Sequence, residues 1–117
     1  MKTDITTRQD VYGIVVTFYD LLLSDPITKA IFENINMEKH LPKITDFWCM
    51  VLFGDTAYKG NPFPKHVPLG LEKKHFERWL FHFESTIDKS YEGDKATLAK
   101  QRANSIAFVF QSKLGAY

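Results

Sequence analysis

Four separate stretches of this chain repeat their apolar residues at helical spacing, and no stretch alternates apolar with polar long enough to compete as a strand. In the first, Val11, Ile14, Val15, Phe18, Tyr19 and Leu22 follow the i, i+3, i+4, i+7 rhythm that lines one face of a helix. The segment Ser24-Asp25-Pro26 stops it, with Asp25 as N-cap and Pro26 as first position of a short helix through Ile31 and Phe32. A second run holds Ile44, Phe47, Trp48, Val51 and Leu52 and ends at Gly54; Pro42 is expected in its first turn, where a missing N–H costs little. The third run holds Phe76, Trp79, Leu80, Phe83 and Ile87. The fourth holds Ala99, Ala103, Ile106, Ala107, Phe110 and Leu114, with Gly115 as its C-terminal cap. The expected fold class is all-α. A chain of 117 residues makes one domain, 1–117, that can bury roughly two thirds of its unfolded surface.

Charge excludes some functions. Fifteen Lys and Arg balance 14 Asp and Glu, and no run of like charge marks a nucleic-acid or membrane footprint. One cysteine, Cys49, permits no internal disulfide and fits a reducing compartment. The opening "MKTDITTRQD" lacks the apolar core of a signal peptide, and no apolar stretch nears the roughly 18 residues of a membrane span, so a cytoplasmic protein is expected. Aromatic residues reach 15%, which implies either a very aromatic core or a flat apolar pocket for something that is not protein.

One connection is long and irregular, from Asp55 to Gly70. Its stretch "YKGNPFPKHVPLG" sets Pro62, Pro64 and Pro68 around a single histidine, His66. Connections longer than about 12 residues in a compact domain are functional or disordered, and three prolines with Phe63, Val67 and Leu69 argue against disorder. Asn61 can cap a single helical turn begun by Pro62, which would aim His66 inward. Two readings stand evenly: a loop histidine, or a metal ligand whose backbone the prolines hold fixed.

The other polar residues offer less. His75 and His82 lie seven apart on one helix, roughly 10 Å along its axis, too far to share a zinc ion bound at about 2 Å; both read as surface histidines on a helix flank. Cys49 reads as a small packing residue, with no neighbouring base to lower its thiol pKa. Six scattered glycines form neither a dinucleotide-binding fingerprint nor a phosphate loop. Tyr19, Trp79 and His40, each on an apolar stripe or its edge, would ordinarily be satisfied by backbone or water. Together they put three polar groups from three helices towards one aromatic core.

At this point the sequence resembles the group III truncated haemoglobins over nearly its whole length. The likeness rests on "FY" at 18–19, "IF" at 31–32, His40, "FWCMVLFG" at 47–54, "YKGNPFPKH" at 58–66, "HFERWL" at 75–80 and "AKQRANSIAFVFQ" at 99–111, in that order and spacing. It implies a small globin-like two-over-two helical sandwich enclosing haem b. By the same resemblance His66 is the proximal iron ligand, Tyr19 the main distal donor, His40 the distal-helix histidine and Trp79 the indole facing bound ligand. Phe32 wedges against the haem, Ile44 and Trp48 line the distal side, Phe18 stands behind Tyr19, and Lys43 and Lys65 lie near the propionates. Pro42, so soon after His40, is the departure that puts the orientation of His40 in question.

The implied function is binding of small diatomic gases (oxygen, nitric oxide, carbon monoxide) at ferrous iron. A donor to a strongly polarised ligand contributes on the order of 1.5–3 kcal/mol, so two donors suit sensing, scavenging or redox chemistry better than delivery. Turnover would require an electron donor, and whether this is an enzyme stays open at this level. The competing class is a haem-free, globin-like helical module that binds an apolar ligand or a protein partner, for which His66 would be dispensable.

Overall fold

The computed structural model describes residues 2–56 and 71–114, and within them five helices follow one another. Helix α1 spans Arg8–Ser24, with Thr7 and Asp10 closing its start reciprocally: Thr7 Oγ1 accepts from the Asp10 N–H, and Asp10 Oδ2 accepts from the Thr7 N–H. Its six buried residues are Val11, Ile14, Val15, Phe18, Tyr19 and Leu22, the stripe read from the sequence. Asp25 ends α1 and caps α2, Pro26–Phe32, its Oδ1 accepting from the Ile27 N–H at 2.9 Å.

Helix α3 spans Met37–Phe53 and ends at Gly54, whose φ of 72° is the left-handed cap that favours glycine. Here one expectation is corrected. Pro42 does not open this helix; it lies inside it, in the second turn. Asn36 starts the helix early by accepting from the Lys39 N–H, so the turn before Pro42 is already formed and His40 belongs to the helix. Helix α4 spans Lys73–Ser90 and α5 spans Asp94–Leu114.

Packing produces two layers. Helix α1 lies on α3 and α4 lies on α5, and the layers meet through α1 against α4 and α3 against α5, with α2 bridging α1 and α4. This is the two-over-two helical sandwich. Aromatic rings fill the seam: Phe18 meets Phe83 edge-on at 5.2 Å, and Trp48 stacks on Phe83 at 4.7 Å. Among the described residues, no single helix is long and apolar enough to cross a membrane.

The N-terminal segment runs beside the α4–α5 connection and completes α5. The residue before α5, Gly93, has φ of 135° and no side chain to cap with. Asp4 supplies that function from far along the chain, accepting from the N–H groups of Lys95 and Ala96, each at 2.9 Å. A Cβ on Gly93 would lie 2.6 Å from the Asp4 carboxyl carbon, so glycine is required there by space as well as by φ.

Candidate functional site

A pocket opens between the layers, with about 720 Å³ of space when the open solvent at its mouth is counted. Each helix contributes. Helix α1 brings Phe18 and Tyr19, α2 brings Phe32, and α3 brings Ile44, Phe47 and Trp48. Helix α4 brings His75, Phe76 and Trp79 after Leu71 at its approach, and α5 brings Ile106, Ala107 and Phe110.

Aromatic contacts fix the rings relative to one another. Phe18 sits edge-on to Tyr19 at 5.3 Å and to Trp79 at 5.5 Å, and Tyr19 is edge-on to Phe32 at 5.7 Å. Such edge-to-face pairs bring the positive ring edge against the negative face of a neighbour and so resist sliding.

Polar chemistry in this pocket starts at Tyr19. Its hydroxyl lies 2.7 Å from His40 Nε2, across the α1–α3 packing. Burial pushes the phenol pKa well above its ordinary value, so Tyr19 remains a neutral donor. Two proton arrangements satisfy this pair. If Tyr19 O–H donates to His40, the phenol offers the pocket only lone pairs. If His40 Nε2–H donates to the phenol oxygen, the Tyr19 proton is available to a pocket ligand. The tautomer of one imidazole therefore decides whether the pocket presents a donor.

Phe18, Tyr19, Phe32, Ile44, Trp48 and Trp79 from the sequence reading all line this pocket, and His40 joins it through Tyr19. Lys43 is exposed on α3 and is not among the pocket's lining residues. His66 and Lys65 lie outside the described residues. Phe47, Leu71, His75, Phe76, Ile106, Ala107 and Phe110 also line the site. Five of these were visible as helical stripes, but periodicity marks a buried face without telling a protein neighbour from a ligand.

Both α4 histidines overturn the surface reading. His75 is half-buried on the pocket wall. His82 is 7% exposed, and its Nε2 lies 2.7 Å from Asp25 Oδ2, the same oxygen that accepts from Arg78 Nε at 2.8 Å. Arg78, then His82 and the Ile27 N–H, hold the Asp25 carboxyl far below the usual carboxylate range against the opposing effect of burial. Spacing along α4 could not show this because the partner comes from the α1–α2 corner.

A family model for bacterial-like globins matches residues 3–112. The chain belongs to the bacterial-like globins. Within that family it is 30% identical, over 124 aligned positions, to a group 3 truncated hemoglobin of Campylobacter jejuni, covering 100% of this chain and 98% of that one. The crystal structure of the group III truncated hemoglobin from Campylobacter jejuni superposes with a TM-score of 0.86 at 29% identity, over 97% of this globin and 95% of its counterpart. A group 1 truncated hemoglobin of Tetrahymena pyriformis is 32% identical over 74 residues, 62% of this chain and 61% of the relative. The Tetrahymena crystal structure in its Fe(III) form has a TM-score of 0.72 at 24% identity over 92% of this chain and 90% of that one, a likeness of fold. This globin is a truncated haemoglobin of group III.

Globins hold haem iron through a proximal histidine and tune it through the polarity of the other face. The pocket fits such a group on its own chemistry. Its wall is almost wholly apolar and aromatic, shaped between two helical layers, with Tyr19 as a buried donor and His75 and Trp79 as further polar atoms.

Proposed function

We propose that this truncated haemoglobin holds haem b between its two layers, with His66 as the iron ligand, and binds oxygen and other small diatomic gases. When bound, haem supplies a ferrous iron with one coordination position open to a gas. The observation that carries the reading is the 2.7 Å pair of Tyr19 and His40 beside a pocket walled by aromatic and apolar side chains.

The chain's residues divide the work. Phe18, Phe32, Ile44 and Trp48 present apolar surface and exclude water. Tyr19, kept neutral by burial, holds its proton on oxygen and donates it to a polarised guest when His40 takes the donor role in their pair. Trp79 offers an indole N–H from α4. Lys43 and Lys65 are assigned to the carboxylate edge of the macrocycle. A gas held by such donors leaves slowly, which favours sensing, scavenging or redox use of oxygen, nitric oxide or carbon monoxide over delivery. Redox turnover would draw on an electron donor, and the chain's work would be in the cytoplasm.

The test is an absorption titration with haem for the wild type and His66→Gly, with and without imidazole. The expected result is one-to-one uptake by the wild type, a carbon monoxide adduct on reduction, and a mutant spectrum restored by imidazole. Equal titration of both proteins would remove His66 from its role. No uptake by either would leave the alternative, an apolar ligand or a protein partner in a haem-free globin fold.

A further inference from the structure

The first turn of α4 is closed by a reciprocal pair. The His75 backbone N–H donates to the Glu72 carbonyl at 3.0 Å, and the Glu72 backbone N–H donates to His75 Nδ1 at 2.8 Å. His75 is the third residue of the helix, the position at which Glu or Gln usually reaches back to the residue before the helix. An imidazole can do the same only at an unprotonated nitrogen. With Nδ1 accepting, the proton of the neutral ring sits on Nε2, and a second proton can enter only at Nδ1. That would turn the acceptor into a donor facing another donor. The same ring lines the pocket beside Leu71, Phe76 and Trp79, so the residue that closes the helix also forms the wall.

The ring's surroundings favour its neutral form. Removal from water is the largest influence and lowers its pKa below the ordinary histidine value; Lys74 adds to this, and Glu72 opposes it. Lys73 and Glu77, the other charged neighbours in these turns, are exposed, and Arg78 is committed to Asp25. Across the pocket α1 presents Phe18 and Tyr19, whose phenol burial keeps neutral, and the pocket residues of α2, α3 and α5 are all apolar. The folded value lies below the unfolded one, about 6.5. The neutral ring's contribution is therefore complete above that value and is lost as pH falls through the folded pKa.

We propose that His75 is a pH-sensitive positioning residue: neutral, it holds the first turn of α4 and the pocket wall closed; protonated, it gives up the Glu72 bond and loosens that wall, so the pocket releases its occupant. This rests on the haem reading only for the identity of the occupant.

The test is hydrogen exchange at the Glu72 amide of the full-length protein, with and without haem, at about pH 7.5 and at about pH 4.5, roughly two units below the ordinary histidine value, corrected for intrinsic exchange. The wild type should open about tenfold more readily at the lower pH, the scale of losing one helix cap. His75→Gln keeps an acceptor that does not titrate and should stay protected at both values; His75→Ala should be open at both. Haem transfer to excess apomyoglobin should follow the same order. A wild-type Glu72 amide indifferent to pH, or a pH step retained in His75→Gln, overturns the proposal. A protein that takes no haem but shows the amide pattern leaves the switch standing and defeats only the haem reading.

Discussion

Tyr19 is a phenol packed among Phe18, Phe32 and His40, where losing its proton would leave a charge without water. Its proton therefore stays on oxygen, and the His40 tautomer decides whether that proton points into the pocket. Tyr19→Phe removes the hydroxyl and keeps the ring, so the haem-loaded protein should release oxygen roughly tenfold to a hundredfold faster, following the loss of one bond to a polarised ligand. Stopped-flow displacement by carbon monoxide reads this directly, and an unchanged rate would remove Tyr19 as a donor to the bound gas. Asp25 carries a different load at the same scale. One carboxylate caps α2 through Ile27 and receives both Arg78 and His82. Asp25→Ala should cost about 2 kcal/mol or more in urea unfolding: the cap is lost and His82 keeps a buried nitrogen without its acceptor. The half-exposed Arg78 adds little, because water replaces its partner. The sequence revealed Asp25 as a cap, since Asp before Pro is a local signal. It did not reveal Arg78 and His82 as partners, which arrive from α4.

At the scale of elements, the starts of α1, α2, α3 and α4 are each closed by a residue whose chemistry is local, and the start of α5 is not. There the cap is Asp4, more than 90 positions away in its contacts with Lys95 and Ala96. Burial raises the Asp4 pKa, yet the N–H donors of Lys95, Ala96 and Ile5 outweigh that and hold it low. Asp4→Ala should lower stability by about 1 kcal/mol, with exchange protection lost first in the opening turn of α5. Gly93→Ala should cost more than the same change at an exposed helix position, because its Cβ would press on Asp4 as well as strain the backbone. If Gly93→Ala in an Asp4→Gly background, which removes the Asp4 Cβ as well as its carboxylate, costs the same as in the wild type, the close approach is not the cause. Pro42 gives the complementary lesson. Its place inside α3 shows that a good N-cap at Asn36 and the apolar seam beyond outweigh one missing backbone bond.

For the whole molecule, acid stability should be set by carboxylates held in the fold. Asp25 is lowered chiefly by Arg78 and Asp10 chiefly by the Thr6 N–H, while Asp4 stays low against burial. A folded carboxylate below its unfolded value of about 4 contributes stability that is present above that value and lost as pH falls through the folded one. Thermal melts should therefore drop below about pH 4, and Asp25→Asn should flatten that limb. A melting curve with the wild-type acid slope in Asp25→Asn would assign the limb to other groups. The sequence by itself determined the five helices seen among the described residues, their buried stripes, the α1–α2 corner and the aromatic residues that would meet in one place, because helical period and capping act within a few residues. Only the tertiary structure decided that His75 forms part of the pocket wall, that His82 is buried on Asp25, that Asp4 caps α5, and that Tyr19 lies 2.7 Å from His40. Each of these joins side chains from elements far apart in the chain, and periodicity says which way a residue faces but not what it will face.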